Sequence, residues 1–111
     1  MSNEGKELRE EYQTKLLVNN KFIEMNPFVE EFLARVVIGI VCSLKGVDDI
    51  KNIEIKKQTK GIDITVNGKE VPLTPFPVMI IESTISGMVS VLKDVGDLRS
   101  ILIQVEVKTQ K

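Results

Sequence analysis

Residues 26–46 read NPFVEEFLARVVIGIVCSLKG and predict the central buried helix around which the rest of the chain is organised. The side-chain oxygen of Asn26 suits a helix N-cap, and Pro27 suits the first helical position because its fixed φ is already helical. Lys45 and Gly46 are typical of a helix C-terminus. Apolar residues spread almost all the way round this predicted helix, so it has to be covered on more than one side.

The chain that follows predicts a hairpin of short strands. Residues 52–56 and 62–66 alternate apolar and polar side chains, which indicates strands with one buried face. Asn67-Gly68 strongly favours a type I′ turn, because both residues accept a positive φ. The return strand at 71–73 contains a proline and is therefore expected at an edge of the sheet.

Three further elements complete the prediction. Prolines at 75 and 77 precede a second long helix, expected at 78–95, and residues 98–107 alternate again as a final strand. Before the central helix, residues 15–25 are compatible with a short hairpin turning at Asn19-Asn20, or with a helix end followed by a strand at 21–25. The strand is favoured because the Asn-Pro boundary disfavours a continuous helix.

The order of these elements is β-α-β-β-α-β and predicts an α+β fold. We expect a two-layer sandwich in which two long helices pack on one face of a sheet of three to four mostly antiparallel strands. Residues 15–111 are expected to form a single domain, and residues 1–14 are a polar N-terminal segment that is either helical or disordered. A ferredoxin-like arrangement has the same order, but its first strand is central and residues 21–25 are short and charged. We detect no internal repeat.

Small residues on both predicted helices indicate a close helix crossing. Gly39 and Ser43 leave a low surface on the first helix, and a similar cluster on the second helix would let the two backbones approach each other. Together with the surplus apolar surface of the first helix, they predict an interaction surface comprising Val37, Val41, Leu44, Ser83, Ser86, Gly87 and Ser90.

Composition excludes several classes of function. The 111 residues carry 15 Lys and Arg against 16 Asp and Glu, a formal net charge of -1 that creates no general attraction for nucleic acid or an anionic membrane. The first residues lack the apolar core of a secretory signal, and the longest apolar run falls short of the roughly 20 residues that a spanning helix needs. A single cysteine fits a reducing compartment, so we expect a cytoplasmic protein.

The residue types that carry chemistry are scarce. The chain has no histidine, which removes the commonest general base and metal ligand. Its one cysteine, Cys42, lies in the apolar helix and is predicted to be buried and structural. We therefore predict no catalytic, cofactor-binding or metal-binding residue and no cofactor.

A basic hairpin offers the one candidate for anion binding. Lys56, Lys57 and Lys60 would contact phosphates if they converged, although a solvated strand end is the more ordinary explanation for them. Recognition of single-stranded RNA by a sheet also needs aromatic platforms, and Phe76 is the only aromatic residue after Gly46. The signal for nucleic acid is therefore weak.

Four stretches carry a resemblance to a known family. They are KFIEMNPFVEEFLARVVIGIV with the following Gly46-Val47, the GIDITVNG hairpin, the helix that begins at Pro77, and the final SILIQVEV strand. From residue 21 onward, this pattern resembles the alkaline-shock-protein family of small bacterial proteins. The resemblance implies a non-enzymatic protein that self-associates and supports the cell envelope or a stress response, in some members through a membrane-anchored partner.

Three functional hypotheses follow. The first is a self-associating interaction or scaffold protein, a homodimer or higher homo-oligomer, that also accepts a protein partner. The second is a small-molecule-binding domain of ferredoxin-like type with a pocket near Glu82 and Asp63. The third is an RNA-binding module that uses the lysines of the hairpin.

Overall fold

The described part of the chain forms a sheet of six strands that carries both helices on one face. The structure is a computed structural model that describes residues 9–44, 49–92 and 97–110. Its strand order is β2-β1-β6-β3-β4-β5, and every neighbouring pair is antiparallel. The elements are β1 (Arg9–Val18), β2 (Lys21–Phe22), α1 (Pro27–Cys42), β3 (Asn52–Gln58), β4 (Gly61–Val66), β5 (Lys69–Glu70), α2 (Pro75–Ser90) and β6 (Ile101–Gln110).

The α+β class is confirmed, but the predicted sheet of three to four strands is too small. Two of the six strands, β2 and β5, are two-residue edge strands, and they stand in place of the predicted strands at 21–25 and 71–73. The strand that the prediction lacked is β1. It pairs with β2 across the turn at Asn19-Asn20, so residues 15–25 contain a hairpin, and the favoured helix end followed by a strand is wrong. The strand order also differs from a ferredoxin-like sheet, because β1 lies outside the central pair formed by β6 and β3.

The segment expected to be helical or disordered contains the start of a long strand. Residues 9–14 belong to β1, where Tyr12 lies opposite Val107 and Thr14 opposite Val105. Apolar side chains at every fourth position fit a strand as well as a helix, because four is also a multiple of the strand period. Pairing with the distant β6 decides between them. Residues 1–8 lie outside the described residues.

Both predicted helices are present, with different ends. The side-chain oxygen of Asn26 accepts a hydrogen bond from the N–H of Val29 at 2.8 Å, which confirms the predicted N-cap of α1. α1 ends at Cys42, and the predicted stop at residues 45–46 lies outside the described residues. α2 begins at Pro75 rather than at residue 78 and ends at Ser90 rather than at residue 95.

The core lies between the helices and the sheet. Its centre is a row of four fully buried side chains that crosses the four long strands: Leu16, Ile103, Ile55 and Ile64. Val37 and Val41 of α1 are fully buried in the same core cluster. The chain's own core therefore covers these two side chains.

The predicted close crossing of the helices is wrong. Gly39 and Gly87 are exposed, and a Cβ atom added at either would meet no other atom within 4 Å. A close crossing requires the backbones to approach at such small residues. These glycines instead face away from the core, which each helix contacts through buried side chains such as Val37 in α1 and Ile85 in α2.

An internal repeat is present, contrary to the sequence prediction. The number of residues from Pro27 to Pro75, the starts of the two helices, equals the number from Cys42 to Ser90, their ends. β5 follows β2 by the same number of residues. We call it the repeat interval. It aligns residues 18–55 with residues 66–103 without any gap. The identical pairs are Val18/Val66, Asn19/Asn67, Lys21/Lys69, Pro27/Pro75, Phe28/Phe76, Gly39/Gly87, Val41/Val89, Leu44/Leu92, Lys45/Lys93, Val47/Val95, Asp49/Asp97, Ile53/Ile101 and Ile55/Ile103.

The two repeats are related by a pseudo-twofold axis between β3 and β6. Ile55 lies directly opposite Ile103, which is its own equivalent in the second repeat. The pairing of β1 with β6 is repeated in register by the pairing of β4 with β3, since Leu16 faces Ile103 as Ile64 faces Ile55. Each repeat therefore supplies a central strand that is flanked by strands of the other repeat.

Two equivalent asparagines fasten each repeat to the other. Asn67 has a positive φ of 53° in its turn, which confirms the predicted hairpin. Its side-chain oxygen accepts hydrogen bonds from the backbone N–H groups of Lys51 (2.8 Å) and Asn52 (3.0 Å), and its amide donates to the carbonyl of Asp49 at 2.9 Å.

Asn19 repeats this arrangement in the first half. Its φ is also 53°, and its side-chain oxygen accepts from the N–H groups of Arg99 (2.8 Å) and Ser100 (3.0 Å). Its amide donates to the carbonyl of Asp97. Each turn therefore holds the segment that leads into the central strand of the opposite repeat, and the sequence prediction missed this role of both side chains.

Candidate interaction surface at one end of the helix layer

One end of the helix layer exposes large apolar side chains. Phe22 is 68% exposed, Phe28 75%, Phe32 50% and Val91 79%. They come from the edge strand β2, the first half of α1 and the residue that caps the C-terminus of α2. Burying a large apolar side chain is favourable relative to leaving it in water, so a group of such side chains at the surface indicates a contact surface.

Two adjoining cavities connect these side chains into an apolar trough. A cavity of about 550 Å³ is bordered by β2, the segment that leads into α1 and the end of α2, and one of about 140 Å³ lies between the helices. They share Val29, Val91 and Leu92. We call the combined lining the apolar trough, and it consists of Phe22, Ile23, Glu24, Met25, Asn26, Val29, Phe32, Leu33, Met88, Val89, Val91 and Leu92.

The trough is suited to apolar contact rather than to acid–base chemistry. Among the described residues, Glu24 is the charged member of its lining. Glu24 and Asn26 make the larger cavity partly polar, whereas the smaller cavity is lined by apolar side chains. Beside it, the rings of Phe28 and Phe32 stack with their centroids 6.0 Å apart and an interplanar angle of 19°. Such paired rings form a rigid, flat surface that a partner can cover at low entropic cost.

The internal repeat supplies a direct comparison for this surface. The position equivalent to Phe22 is Glu70, and the position equivalent to Val91 is Ser43. Glu70 and Ser43 are exposed in the same fold. The fold therefore does not require apolar residues at positions 22 and 91, so Phe22 and Val91 need another explanation.

The sheet face opposite the helices is polar. A shallow depression of about 260 Å³ on that face is lined mainly by polar and charged side chains, including Lys15, Glu54 and Glu106. In antiparallel sheets, one face commonly remains in contact with water in this way. The exposed large apolar residues of the described chain lie instead on the helices, at their ends or on β2.

The residues predicted as an interaction surface do not form one surface. Val37 and Val41 are fully buried, so they are not available to a partner while the fold is intact, and Leu44 is half-buried. On α2, Ser83, Gly87 and Ser90 are exposed and Ser86 is half-buried, and the hydroxyl of Ser90 donates to the carbonyl of Gly87 at 2.9 Å. None of the seven lines the trough.

The lysines of the basic hairpin do not converge. Lys56 and Lys57 are neighbours on β3, so their side chains point to opposite faces of the sheet. Lys56 lies directly opposite the acidic residue Asp63, and Lys60 is in the following turn. The three cations therefore provide no shared anion site.

Cys42 is exposed, so the prediction of a buried structural cysteine is wrong. It is the last residue of α1 and lies on the outward side of that helix. The equivalent residue in the second repeat is Ser90, a polar residue that is also exposed. The repeat was the signal in the sequence that would have placed this position at the surface.

The pocket proposed for a small molecule is not formed by the two residues named for it. Asp63 is exposed on the polar face of the sheet, because its neighbour Ile64 points into the core. Glu82 belongs to α2, which lies on the other face. The two carboxylates are therefore separated by the sheet.

Comparison with known proteins found no matching protein family, curated protein or solved structure. The resemblance to the alkaline-shock-protein family therefore stays a prediction. Within the described residues, no helix is long and apolar enough to cross a membrane.

Proposed function

We propose that this protein is a non-enzymatic interaction module that self-associates into a homodimer through the apolar trough. The observation that carries the proposal is the difference between equivalent positions, where Phe22 and Val91 stand at the trough and Glu70 and Ser43 stand at the other end. Because both ends belong to the same fold, apolar residues at positions 22 and 91 are not needed for folding. A partner that covers them accounts for their presence.

A second copy of the chain is the partner that fits this surface. A twofold dimer brings the same patch of both copies together, so Phe28 and Phe32 of one copy meet the trough of the other. The formal net charge of -1 gives two copies almost no mutual repulsion. Glu24, the charged member of the lining among the described residues, borders the larger cavity and is exposed, so its carboxylate can stay hydrated.

The exposed area supports a modest affinity. A buried aromatic side chain removes about 150–250 Å² from water, and the three phenylalanines are between half and three-quarters exposed. With Val91 and its neighbours, the surface offers on the order of 500 Å² per copy, below the roughly 800 Å² of a standard interface. We therefore expect a dimer at micromolar concentrations that dissociates on dilution.

The resemblance to the alkaline-shock-protein family supports the same proposal, because it implies a self-associating protein without an active site. It further implies a role in the cell envelope or a stress response. We place this role in the cytoplasm, since an exposed, unpaired cysteine such as Cys42 suits a reducing compartment.

The test replaces trough residues with the residues that the second repeat uses at the equivalent positions. Phe22→Glu and Val91→Ser take their new side chains from Glu70 and Ser43, so we expect both variants to fold normally. Size-exclusion chromatography with light scattering should show a concentration-dependent dimer for the parent chain. The double variant should remain a monomer at concentrations where the parent is dimeric.

Ile80→Ser provides the matched control. Ile80 is 51% exposed and is the equivalent of Phe32 at the other end of the helix layer, so replacing it should leave the dimer intact. The proposal fails if the parent chain is a monomer across the micromolar range. It also fails if the dimer survives the double variant or is lost in Ile80→Ser.

A further inference from the structure

The contacts between the two repeats have the form of a dimer interface within one chain. A dimer with twofold symmetry uses the same surface on both partners, so that residue i contacts residue j and j contacts i. Here Leu16 of the first repeat faces Ile103 of the second, and Ile64 of the second faces Ile55 of the first. These two pairs are equivalent, because Leu16 corresponds to Ile64 and Ile55 corresponds to Ile103 across the repeat interval.

The polar contacts follow the same reciprocal rule. Asn19 bonds to the backbone of Arg99 and Ser100, and Asn67 bonds to Lys51 and Asn52, which are their equivalents in the first repeat. The distances agree at 2.8 and 3.0 Å in both clamps. For each of these hydrogen bonds from the first repeat to the second, the second repeat therefore makes the equivalent bond to the first.

We infer that the surface joining the repeats is a self-complementary interaction surface whose partner is a repeat of the same kind, from the same chain or from a second copy. Two chains that exchange repeats would form every strand pair and both asparagine clamps without any new contact. Only the turn at residues 59–60, which joins β3 to β4, would have to open. Such exchange is a known low-cost route to dimers.

The short turn explains why the repeats of one chain pair with each other. Two partners joined by a short connection meet at an effective concentration in the millimolar range, far above a typical protein concentration. Pairing within the chain is therefore favoured while the turn can close. Exchange becomes the only solution when the turn cannot close.

The test removes the turn. Deleting Thr59 and Lys60 and replacing Gly61→Val joins β3 and β4 into one continuous strand, because Gly61 has a φ of +157° and is the residue that eases a bend there. The variant also carries Phe22→Glu and Val91→Ser, which removes association through the trough. We expect twice the mass of the Phe22→Glu, Val91→Ser parent, with the same far-UV circular dichroism per residue.

Larger assemblies with native circular dichroism would also support the inference, because each joint would again be a repeat pair. A monomer, or a chain that is unfolded or precipitates, would overturn it. Inserting a short Ser and Gly segment between Thr59 and Lys60 is the matched control, since a longer loop still closes within the chain. This control should have the mass of the parent.

A second measurement tests the same surface without relying on the shortened chain. A protease site is inserted between Thr59 and Lys60, the folded protein is cut there, and the fragments are unfolded in urea and refolded together. We expect the two fragments to recombine and elute as one species. Fragments that elute separately as monomers would overturn the inference, whatever the trough does.

Discussion

The two repeats agree at most core positions and differ on their surfaces. Leu33 and Val37 are buried at the positions where the second repeat buries Ile81 and Ile85, so the volumes change little. Outside the core, Phe22 stands against Glu70. The comparison separates the residues that the fold needs from those, such as Phe22, that a contact with a partner would explain.

The strand pair on the pseudo-twofold axis is the place where the largest effect is expected. Ile55 and Ile103 are both fully buried and lie directly opposite each other. Replacing either with alanine leaves a cavity in a packed core and should lower the free energy of unfolding by about 2–5 kcal/mol. Because their environments are closely similar, Ile55→Ala and Ile103→Ala should cost similar amounts.

Urea unfolding followed by circular dichroism measures both variants. The double variant adds information, because residues in contact share a cavity and their effects are not additive. A large difference between the two single variants would contradict the pseudo-twofold relation of the repeats.

The asparagine clamps should give an intermediate effect. Asn67→Gly keeps the positive φ of the turn but removes three hydrogen bonds to the segment before β3, and Asn19→Gly does the same before β6. These contacts are largely exposed, so we expect each variant to lose about 1–2 kcal/mol of unfolding free energy. The shift of the urea midpoint measures this loss.

Asn20→Gly serves as the control for the clamps. Asn20 has a φ of 67°, and its equivalent in the second repeat is already glycine. A variant with the same turn and an intact clamp should keep its urea midpoint. If Asn20→Gly proved as destabilising as Asn19→Gly, the effect would belong to the turn and not to the clamp.

The features that the sequence predicts well are encoded within a few residues. Asn26 and Pro27 define the start of α1 because a cap and a fixed φ act locally. Asn67-Gly68 defines its turn for the same reason. The alternation of Ile101, Ile103 and Val105 with other residues likewise identifies the buried face of β6.

The features that the sequence predicts poorly depend on distant parts of the chain. A helix that is apolar all the way round does not show which side faces the sheet, so its sequence does not reveal that Cys42 lies on the outward side. β1 is stabilised by β6, the last strand of the chain, and both helices lie between them in sequence. The repeat is hard to recognise in the sequence because the identical residues are scattered. For example, Glu30-Glu31 at the start of one helix corresponds to Val78-Met79 in the other.

The two helix glycines should give the smallest effect and test the comparison most finely. Gly39 and Gly87 occupy the same place in α1 and α2, are exposed, and leave open space where a Cβ would stand. Alanine has the higher helix propensity because it reduces the conformational freedom of the unfolded chain. Gly39→Ala and Gly87→Ala should therefore each raise the free energy of unfolding by about 0.5–1 kcal/mol, measured by urea unfolding of the dilute monomer.

The same two variants test where the dimer forms. Neither glycine lines the trough, so the light-scattering mass at micromolar concentration should be unchanged. A stabilised monomer that no longer dimerises would show that a second copy approaches the helix backbones at these glycines, and it would move the contact surface from the trough to the small-residue faces of the helices. If both variants are stabilised alike and the dimer is unchanged, the glycines are a feature that the two repeats share. The trough then remains the feature in which the two repeats differ.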